Sequence, residues 1–487
     1  LEARLTIVPP TFPDQYVVGD PSYEVKEQRR SRGHKETFDL TTTITWETPY
    51  ATLKSLTGAQ YHYLDFNYEA DATSRSAFHF DGRRDRSISV SQEVNLSDTL
   101  DGPFGTRLDW LLGAYYLDDQ YRTFIPVDIN AAAAGLGLLI AGAGDQVDRA
   151  YAGFGDATLW LLPWLRVFGG IRQSYEDKEL FQNFLAYVGP ENIEVPPIPP
   201  AIQDLAQLSL CRDVTLKTSF DNLSPRYGLQ VDAMDGLMLY AQRSLGFKAG
   251  GANPFACDNV YAPEDVDSKE VGFKSTWLDG NVTANFAYFS NDFENFQVLK
   301  SQGFEAPVVN AKGASIDGAE LELRAAPFAG FSNALAPFVL SFAGSLLNAR
   351  YDEFRDTDPA NPDVGVQDLE DHHLNRAPDY TANVGLEYEW QVPAARFGPL
   401  RLRGEWYKTD DVWYRPYGGP DDIQESFSLW NAYASLADAS GRLELRLIGK
   451  NLADQGYYSM ITAIQIGNRY AQPGAPRSIT GEIVLRF

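Results

Sequence analysis

The residues with the strongest capacity for chemistry are two adjacent histidines in an acidic segment. The run Asp368-Leu-Glu-Asp-His-His373 brings imidazole and carboxylate groups together, and such groups suit divalent metals. The potential ligands are adjacent, however, and do not recur at a helical spacing. The surrounding Asp-, Pro- and Asn-rich composition is typical of a loop. We therefore interpret the segment as a solvated loop and predict no metal site.

No enzymatic signature accompanies these histidines. The sequence has no His-Glu-x-x-His, no Gly-x-Ser-x-Gly and no phosphate-binding Gly-Lys-Ser/Thr loop. It therefore predicts neither an enzyme nor a bound cofactor. The formal net charge is −25, which disfavours a nucleic-acid partner because phosphate binding requires clustered Lys and Arg. Acidic loops and an acidic interior explain this charge; a field that attracts cations is the functional alternative.

The two cysteines, Cys211 and Cys257, are too few for a disulfide framework. Both lie in segments whose composition predicts long loops on the same side of the molecule. A single disulfide between them is therefore a candidate in an oxidising compartment, and two unrelated cysteines are the alternative.

The elements that would position these residues are strands, and the clearest is at residues 477–487. Its residues of one parity are apolar or glycine, namely Ile479, Gly481, Ile483, Leu485 and Phe487. The opposite parity is polar except for Val484. Because successive strand residues face opposite sides of a sheet, one face is apolar and the other is charged. We expect the apolar face to meet lipid and the polar face to meet water, as in a membrane barrel.

About 18 such segments follow one another, beginning with a weak strand at residues 3–8, and their connections alternate between short and long. The long connections predicted are 123–147, 181–223, 250–267 and 351–380. Within the first of them, the Ala- and Gly-rich run 131–144 has about 14 residues, too few for a helix that spans a bilayer. We interpret that run as a loop with room for a short helix. The mean hydropathy of −0.30 also excludes an α-helical membrane protein.

This rhythm predicts an all-β fold, a transmembrane antiparallel β-barrel with about 18 strands. A β-propeller would show repeated four-stranded blades, and no such repeat is present. No linker divides the chain, so residues 1–487 are interpreted as one domain.

Aromatic pairs and two basic runs complete the pattern. The aromatic strings are Tyr61-His-Tyr63, Phe78-His-Phe80, Tyr115-Tyr116, Trp406-Tyr407 and Tyr457-Tyr458. We interpret them as the interfacial girdles of a barrel, with inward-facing members near the outer rim as candidate substrate contacts. The basic runs Arg29-Arg-Ser-Arg32 and Arg83-Arg-Asp-Arg86 lie in predicted loops. Solvated loops explain them, and contact with lipopolysaccharide or an anionic substrate is the alternative.

Several segments resemble the barrel of the TonB-dependent outer-membrane receptor family. Asn451-Leu-Ala-Asp-Gln-Gly-Tyr-Tyr458 is similar to the family's penultimate-strand motif, and Gly246-Phe-Lys-Ala-Gly-Gly251 and Ser55-Leu-Thr-Gly58 also fit. Two further segments, 261–274 and 310–322, resemble its Glu-x-Gly-x-Lys and Gly-x-Glu-Leu motifs. The motif residues are Glu264, Glu270, Gly272, Lys274, Asn310, Gly318, Glu320, Asn451, Leu452 and the terminal Phe487. The resemblance covers residues 38–487.

The resemblance implies energised import of a scarce, bulky nutrient across the outer membrane of a Gram-negative bacterium. Siderophores, cofactors, sugars and aromatic compounds are the candidate classes. It implies contact with outer-membrane lipid and lipopolysaccharide, and with an inner-membrane energy-coupling protein that acts through a plug. Family barrels have 22 strands and a plugged lumen. No plug and about four too few strands are found here, which leaves three explanations: a fragment, a second chain that supplies the missing parts, or a closed porin-like barrel. A passive channel and one chain of an envelope assembly are therefore the alternative functions.

Overall fold

The structure is a computed structural model, and it describes residues 2–7, 32–69, 78–131, 136–190, 206–300, 305–330, 335–359, 361–393, 396–464 and 468–486. Nearly all of these residues belong to strands or to the connections between them. Among them no helix is both long and apolar enough to cross a membrane. The motif residue Phe487 and the basic residues 29–31 lie outside the described residues.

Eighteen strands form one antiparallel sheet, which agrees with the predicted number. They are β1 Glu2–Ile7, β2 Arg32–Glu47, β3 Thr52–Glu69, β4 Phe78–Asp101, β5 Arg107–Ala131, β6 Leu136–Leu162, β7 Leu165–Pro190, β8 Ala206–Met234, β9 Leu237–Lys248, β10 Glu264–Trp277, β11 Val282–Glu294, β12 Gly313–Ala325, β13 Phe338–Glu353, β14 Tyr380–Trp390, β15 Phe397–Thr409, β16 Phe427–Asp438, β17 Leu443–Lys450 and β18 Ser478–Arg486.

Each strand from β2 to β17 pairs with the next strand in the sequence, and β18 also pairs with β1. Within the described part of the chain, β1 and β2 are thus the two ends of the ladder. The connections alternate as predicted. Eight of them, at what we call the short-turn end, have two to twelve residues, such as 163–164 and 278–281. The connections at the opposite, outer end include 249–263, 295–312, 354–379, 410–426 and 451–477.

The two faces of the sheet differ as the sequence pattern requires. On β17 and β18 the side chains of Leu445, Leu447 and Ile479 are about half exposed and lie on one face. Arg446 and Glu482, which occupy the opposite face, form an ion pair at 3.0 Å. Because the backbone satisfies its own hydrogen bonds along the ladder, the apolar side chains can face lipid at no polar cost. The apolar face is therefore the exterior of the barrel, and the polar face lines its lumen.

Aromatic side chains lie on the exterior apolar face toward both of its ends, and Tyr116 is the member of the predicted aromatic strings that is exposed there. Trp46, Trp277 and Trp390 are exposed directly before short turns. Toward the outer end the exposed aromatic residues are Tyr116, Tyr151, Tyr175, Tyr227, Tyr288 and Trp430. The amphipathic rings of Tyr and Trp favour the level of the lipid headgroups.

The strands β4 to β8 have 24 to 29 residues, far more than the about 9–11 that cross a bilayer. We call their extension beyond the outer girdle the tall wall. In their described parts the predicted connection 123–147 and the loop within it at 131–144 are wrong, since β5 extends to Ala131 and β6 begins at Leu136. The predicted loop at 181–223 is likewise wrong where it is described, since β7 extends to Pro190 and β8 begins at Ala206. Small residues pack well where another chain segment lies close to the strand, so an Ala- and Gly-rich run is compatible with a strand.

Short elements complete the outer connections. Two-stranded pairs join Gly251–Ala252 to Val260–Tyr261, Gln297–Leu299 to Val308–Asn310, Arg355–Thr357 to Val366–Asp368, Val412–Trp413 to Ile423–Gln424, and Tyr458–Ile464 to Asn468–Pro473. Single 3-10 turns occur at Pro103–Gly105, Pro362–Val364 and Pro420–Asp422.

Candidate functional site: the lumen and its outer mouth

The lumen face carries ion pairs between neighbouring strands. Arg403 lies between Glu387 and Glu405, and Arg446 lies between Glu444 and Glu482 at 2.9 and 3.0 Å. Charged side chains on this face remain hydrated and partly cancel each other, so they contribute little individually to stability. Their common effect is a polar inner surface that a hydrophilic solute can contact.

Arg172, on the lumen face of β7, lies against two aromatic rings. Its guanidinium lies 5.4 Å from the Tyr115 ring centre and 5.3 Å from that of Phe154, and its Nε donates to the Ser174 hydroxyl. Guanidinium groups stack favourably on aromatic faces. Because Tyr115 faces the lumen while its neighbour Tyr116 faces lipid, one member of this predicted girdle pair contributes to the interior.

The outer loops are held together by a buried charged cluster. Arg415 donates to Asp422 at 2.6 Å and also to Asp358, and all three side chains are at most 7 % exposed. Nearby, the Tyr417 hydroxyl donates to Asp356 at 2.7 Å. Burial, followed by this bond to a carboxylate, raises the pKa of the Tyr417 phenol. These contacts join the loops 354–379 and 410–426.

The two histidines lie at the same junction, in a loop as predicted, but both are half-buried and not fully solvated. The His373 ring stacks on Trp413 with 4.6 Å between ring centres, and its Nδ1 lies 2.9 Å from Arg350. The pKa of His373 is lowered, first by burial and then by the Arg350 charge. The His372 Nδ1 lies 2.6 Å from the Pro416 carbonyl oxygen. Within the described part of the chain, no group of His, Cys, Asp and Glu side chains is arranged to hold a metal ion.

A disulfide joins Cys211, on the tall wall, to Cys257, in the loop 249–263. Although 46 positions separate them in the sequence, their Cα atoms are 5.6 Å apart, within the usual range for a disulfide. Cys211 packs with Ile140 and Phe184 in a small apolar cluster on the inner side of the wall. The bond therefore fixes the loop against the lumen face of the barrel.

Asp148 and Tyr261 interact electrostatically between β6 and the loop 249–263. Burial raises the pKa of Asp148, on β6 beyond the outer girdle. The pKa of Tyr261, in the loop, is raised by its own burial and then by the Asp148 charge. This part of the mouth is therefore partly dehydrated.

The family-motif residues of the loops act as clamps on the backbone. Asn310 accepts a hydrogen bond from the Ala262 amide and donates to carbonyl oxygens of two loops. Glu264 accepts from the Gln297 amide at 2.7 Å. Asn451 is buried with φ +46°, and its amide donates to the carbonyl oxygens of residues 455 and 475. Its neighbour Leu452 is exposed.

The remaining motif residues lie on the lumen face of the strands. Gly272 lies beneath the Tyr240 ring, where a Cβ would approach the phenol oxygen to 2.7 Å, and Tyr240 donates to Glu270 at 2.5 Å. Gly318 is covered by an aromatic ring in the same way. Glu320 contributes its charge near Tyr240. Lys274 lines a recess near the short-turn end.

The basic run at 83–86 lies within β4 and not in a loop, so that prediction is wrong. Arg83 donates to Asp85, which is buried and also accepts from Tyr121 and Thr123. Arg83 and Asp85 are two residues apart and therefore lie on the same face of β4, where they pair. Sequence reasoning missed this cluster and the cluster around Arg415. Their members come from distant segments, and no local spacing marks them.

The chain is similar to known proteins in sequence and in fold. The family model for the TonB dependent receptor-like beta-barrel matches residues 6–452. A curated relative, the ferric-pyoverdine M114 receptor PbuA of Pseudomonas sp. (strain M114), is 25 % identical over 263 residues, which are 53 % of this chain and 29 % of the relative.

Two solved structures have a similar fold. The ferric yersiniabactin uptake receptor FyuA from Yersinia pestis has a TM-score of 0.73 and 14 % identity over 96 % of this chain and 64 % of that one. The siderophore receptor PiuA from Acinetobacter baumannii has a TM-score of 0.68 and 14 % identity over 94 % and 64 %. The chain thus spans less than two thirds of the length of these relatives.

Proposed function

Because the chain belongs to the TonB-dependent receptor family of β-barrels, we propose that it forms the barrel of a receptor that imports a scarce, bulky nutrient. The observation that carries this proposal is the outer mouth. Long, mutually bonded loops and a tall wall stand above a polar lumen, which suits capture of a solute at the outer surface. The proposed location is the outer membrane of a Gram-negative bacterium, in contact with lipid and lipopolysaccharide.

The proposed nutrient class is a ferric siderophore. The relatives bind or take up ferric pyoverdine and ferric yersiniabactin, as their names state, and this is the support for carrying the class over. The stacked Arg172 in the lumen suits a ligand with aromatic and oxygen-rich groups. Cofactors, sugars and aromatic compounds are the other nutrient classes that a receptor of this fold can import.

We further propose that a plug fills the lumen and transmits force from an inner-membrane energy-coupling protein. Family barrels have 22 strands around such a plug, so about four strands and the plug would come from another part of the polypeptide or from a second chain. These additional strands would pair with the edges of β1 and β2 that have no partner strand in the described part of the chain.

A passive channel is the second candidate, favoured by the number of strands in the sheet. Eighteen strands fall within the about 16–18 of porins with a water-filled lumen. In planar bilayers a porin would show steady conductance without any ligand, whereas a plugged receptor would remain closed.

An uptake assay tests the import proposal. A strain that lacks the gene receives the protein on a plasmid, and transport of ⁵⁵Fe bound to pyoverdine, yersiniabactin or citrate is measured with and without a proton uncoupler. We expect restored uptake of one chelate that stops when the uncoupler is added. Uptake of every small solute, insensitive to the uncoupler, would support the channel, and restored uptake of a non-iron nutrient would overturn the siderophore class.

A further inference from the structure

We propose that the outer loops form one mechanically coupled rim, and that the disulfide between Cys211 and Cys257 is the anchor through which this rim is held to the tall wall. We define the rim as the described parts of residues 249–263, 295–312, 354–379, 410–426 and 451–477. The inference concerns the movement of these loops and does not depend on the transported solute.

The first link joins the anchored loop to its neighbour. The Asn259 side chain donates to the Val308 carbonyl at 2.9 Å and accepts from the Val308 amide at 2.8 Å. The Asn253 amide group donates to the Ala306 carbonyl at 2.6 Å, and the Ala306 amide donates to the carbonyl of Phe255. Four hydrogen bonds in register make the segments 253–259 and 306–308 move together.

The second and third links continue around the mouth. Lys300 forms an ion pair with Asp356 at 3.0 Å. Leu369 packs with Ala311 in a buried apolar cluster that joins the same two loops. The cluster around Arg415 then joins 354–379 to 410–426. Since these contacts are buried, opening one loop alone would expose charged or apolar groups of its neighbour.

The fourth link reaches the last loop before the terminal strand. The Tyr414 hydroxyl donates to the Tyr458 carbonyl at 3.0 Å, and the Tyr458 amide donates to the Gln424 side chain at 2.7 Å. The contacts therefore run without interruption from the loop after β9 to the loop before β18.

The attachment to the wall is concentrated at one place. Besides the disulfide, the Gln182 side chain, which is fully buried, donates to the Ala256 carbonyl at 3.0 Å. Pro254 lies against β6 where Gly142 and Gly144 leave room, since a Cβ at Gly144 would approach Pro254 to 2.9 Å. This explains the glycines at positions 142 and 144. The disulfide is the one covalent bond in the described contacts between the loop and the wall.

Hydrogen exchange measured by mass spectrometry tests the coupling in the purified, detergent-solubilised protein. The protein is compared before and after reduction with dithiothreitol, which supplies two electrons and two protons to form two thiols and closes to its own cyclic disulfide. We expect amide exchange to increase by about tenfold or more, both in 250–262 and at Ala306 and Val308, because the anchored loop opens with its neighbour. The Asn281 and Gly441 amides at the short turns should not change.

Two variants keep the test decisive. The double substitution C211S and C257S should reproduce the effect of the reductant, and it covers the case in which the buried bond resists reduction. The double variant N253A and N259A removes three of the four hydrogen bonds and should confine the effect of reduction largely to 250–262. N281A, at the opposite end of the barrel, should leave its spread intact. The proposal would be overturned if reduction of the wild-type protein increased exchange only within 250–262. It would also be overturned if exchange increased neither after reduction nor in the variant with C211S and C257S.

Discussion

Removing Arg415 should open the outer loops locally without unfolding the barrel. In R415M the carboxylates of Asp358 and Asp422, which are 3 % and 0 % exposed, would lose the guanidinium between them. Breaking a buried ion pair by deleting one partner costs about 3–5 kcal/mol, because the remaining buried carboxylates lose the positive charge that offsets them; Asp358 still accepts a hydrogen bond from Asn361. The barrel strands are distant from this cluster, so the cost falls on the closed state of the loops 354–379 and 410–426.

The magnitude can be read directly as amide exchange. With a tenfold change for each 1.4 kcal/mol, the expected loss is about 100- to 4,000-fold in protection. The Tyr414 amide, which donates to the Asp422 carbonyl at 2.9 Å, is the reporter. The matched control is R401Q, whose pair with Glu389 is 63 % and 40 % exposed. An exposed pair contributes about 0–1 kcal/mol, so exchange near it should rise less than about fivefold.

A rescue separates charge from packing. The triple variant R415M, D358N and D422N removes both carboxylate charges, and replacing a buried ionic group as a whole is often neutral. Most of the lost protection should return. If R415M raises exchange of Tyr414 by no more than R401Q does for its own neighbours, the cluster is not holding the loops and the reasoning is refuted.

Three further predictions address other parts of the molecule. The pKa of His373 is lowered in the folded protein. The stability that this residue gives the loop should therefore be complete above about pH 6.5 and should fall as the pH drops toward the lower pKa of the folded state. Amide exchange between pH 7.5 and 5 measures this fall, and H373Q should abolish it. G272A should prevent formation of heat-modifiable barrel on SDS gels, because its Cβ would lie 2.3 Å from a facing carbonyl oxygen, whereas G404A, with nothing within 4 Å, should fold normally. L445R, on the exposed apolar face, should lower the free energy of unfolding in lipid by about 2–4 kcal/mol. T480R, on the lumen face, should lower it far less. Equal decreases in the two variants would contradict the assignment of the lipid and lumen faces.

The strand pattern could be predicted because it depends on neighbouring residues. Ile479 and Leu485 alternate with Thr480 and Glu482 whatever the partner strands are, and the two faces follow from that period of two. The turn at 278–281 likewise follows from its own residues. The extent of the tall wall could not be predicted in this way. The run 131–144 has no alternation, and within it Gly142 and Gly144 leave room for Pro254 of the loop 249–263.

The mouth illustrates the same division between local and distant information. Asp358 and Arg415 are 57 positions apart, and nothing in either loop specifies the other as a partner. His373 resembled a solvated residue by composition, yet the ring of Trp413 covers it. The motif residues Asn310 and Asn451 were found from the sequence, but their role as backbone clamps required the hydrogen bonds.

The sequence by itself determined an amphipathic wall with short and long connections, since alternation, turn chemistry and aromatic placement are properties of adjacent residues. Only the tertiary structure decided how far the wall rises, which cysteine meets which strand, and which loop charges are buried together. Those contacts depend on the register of segments that lie far apart in the chain. The partners of a buried charge or cysteine are determined by its neighbours in space.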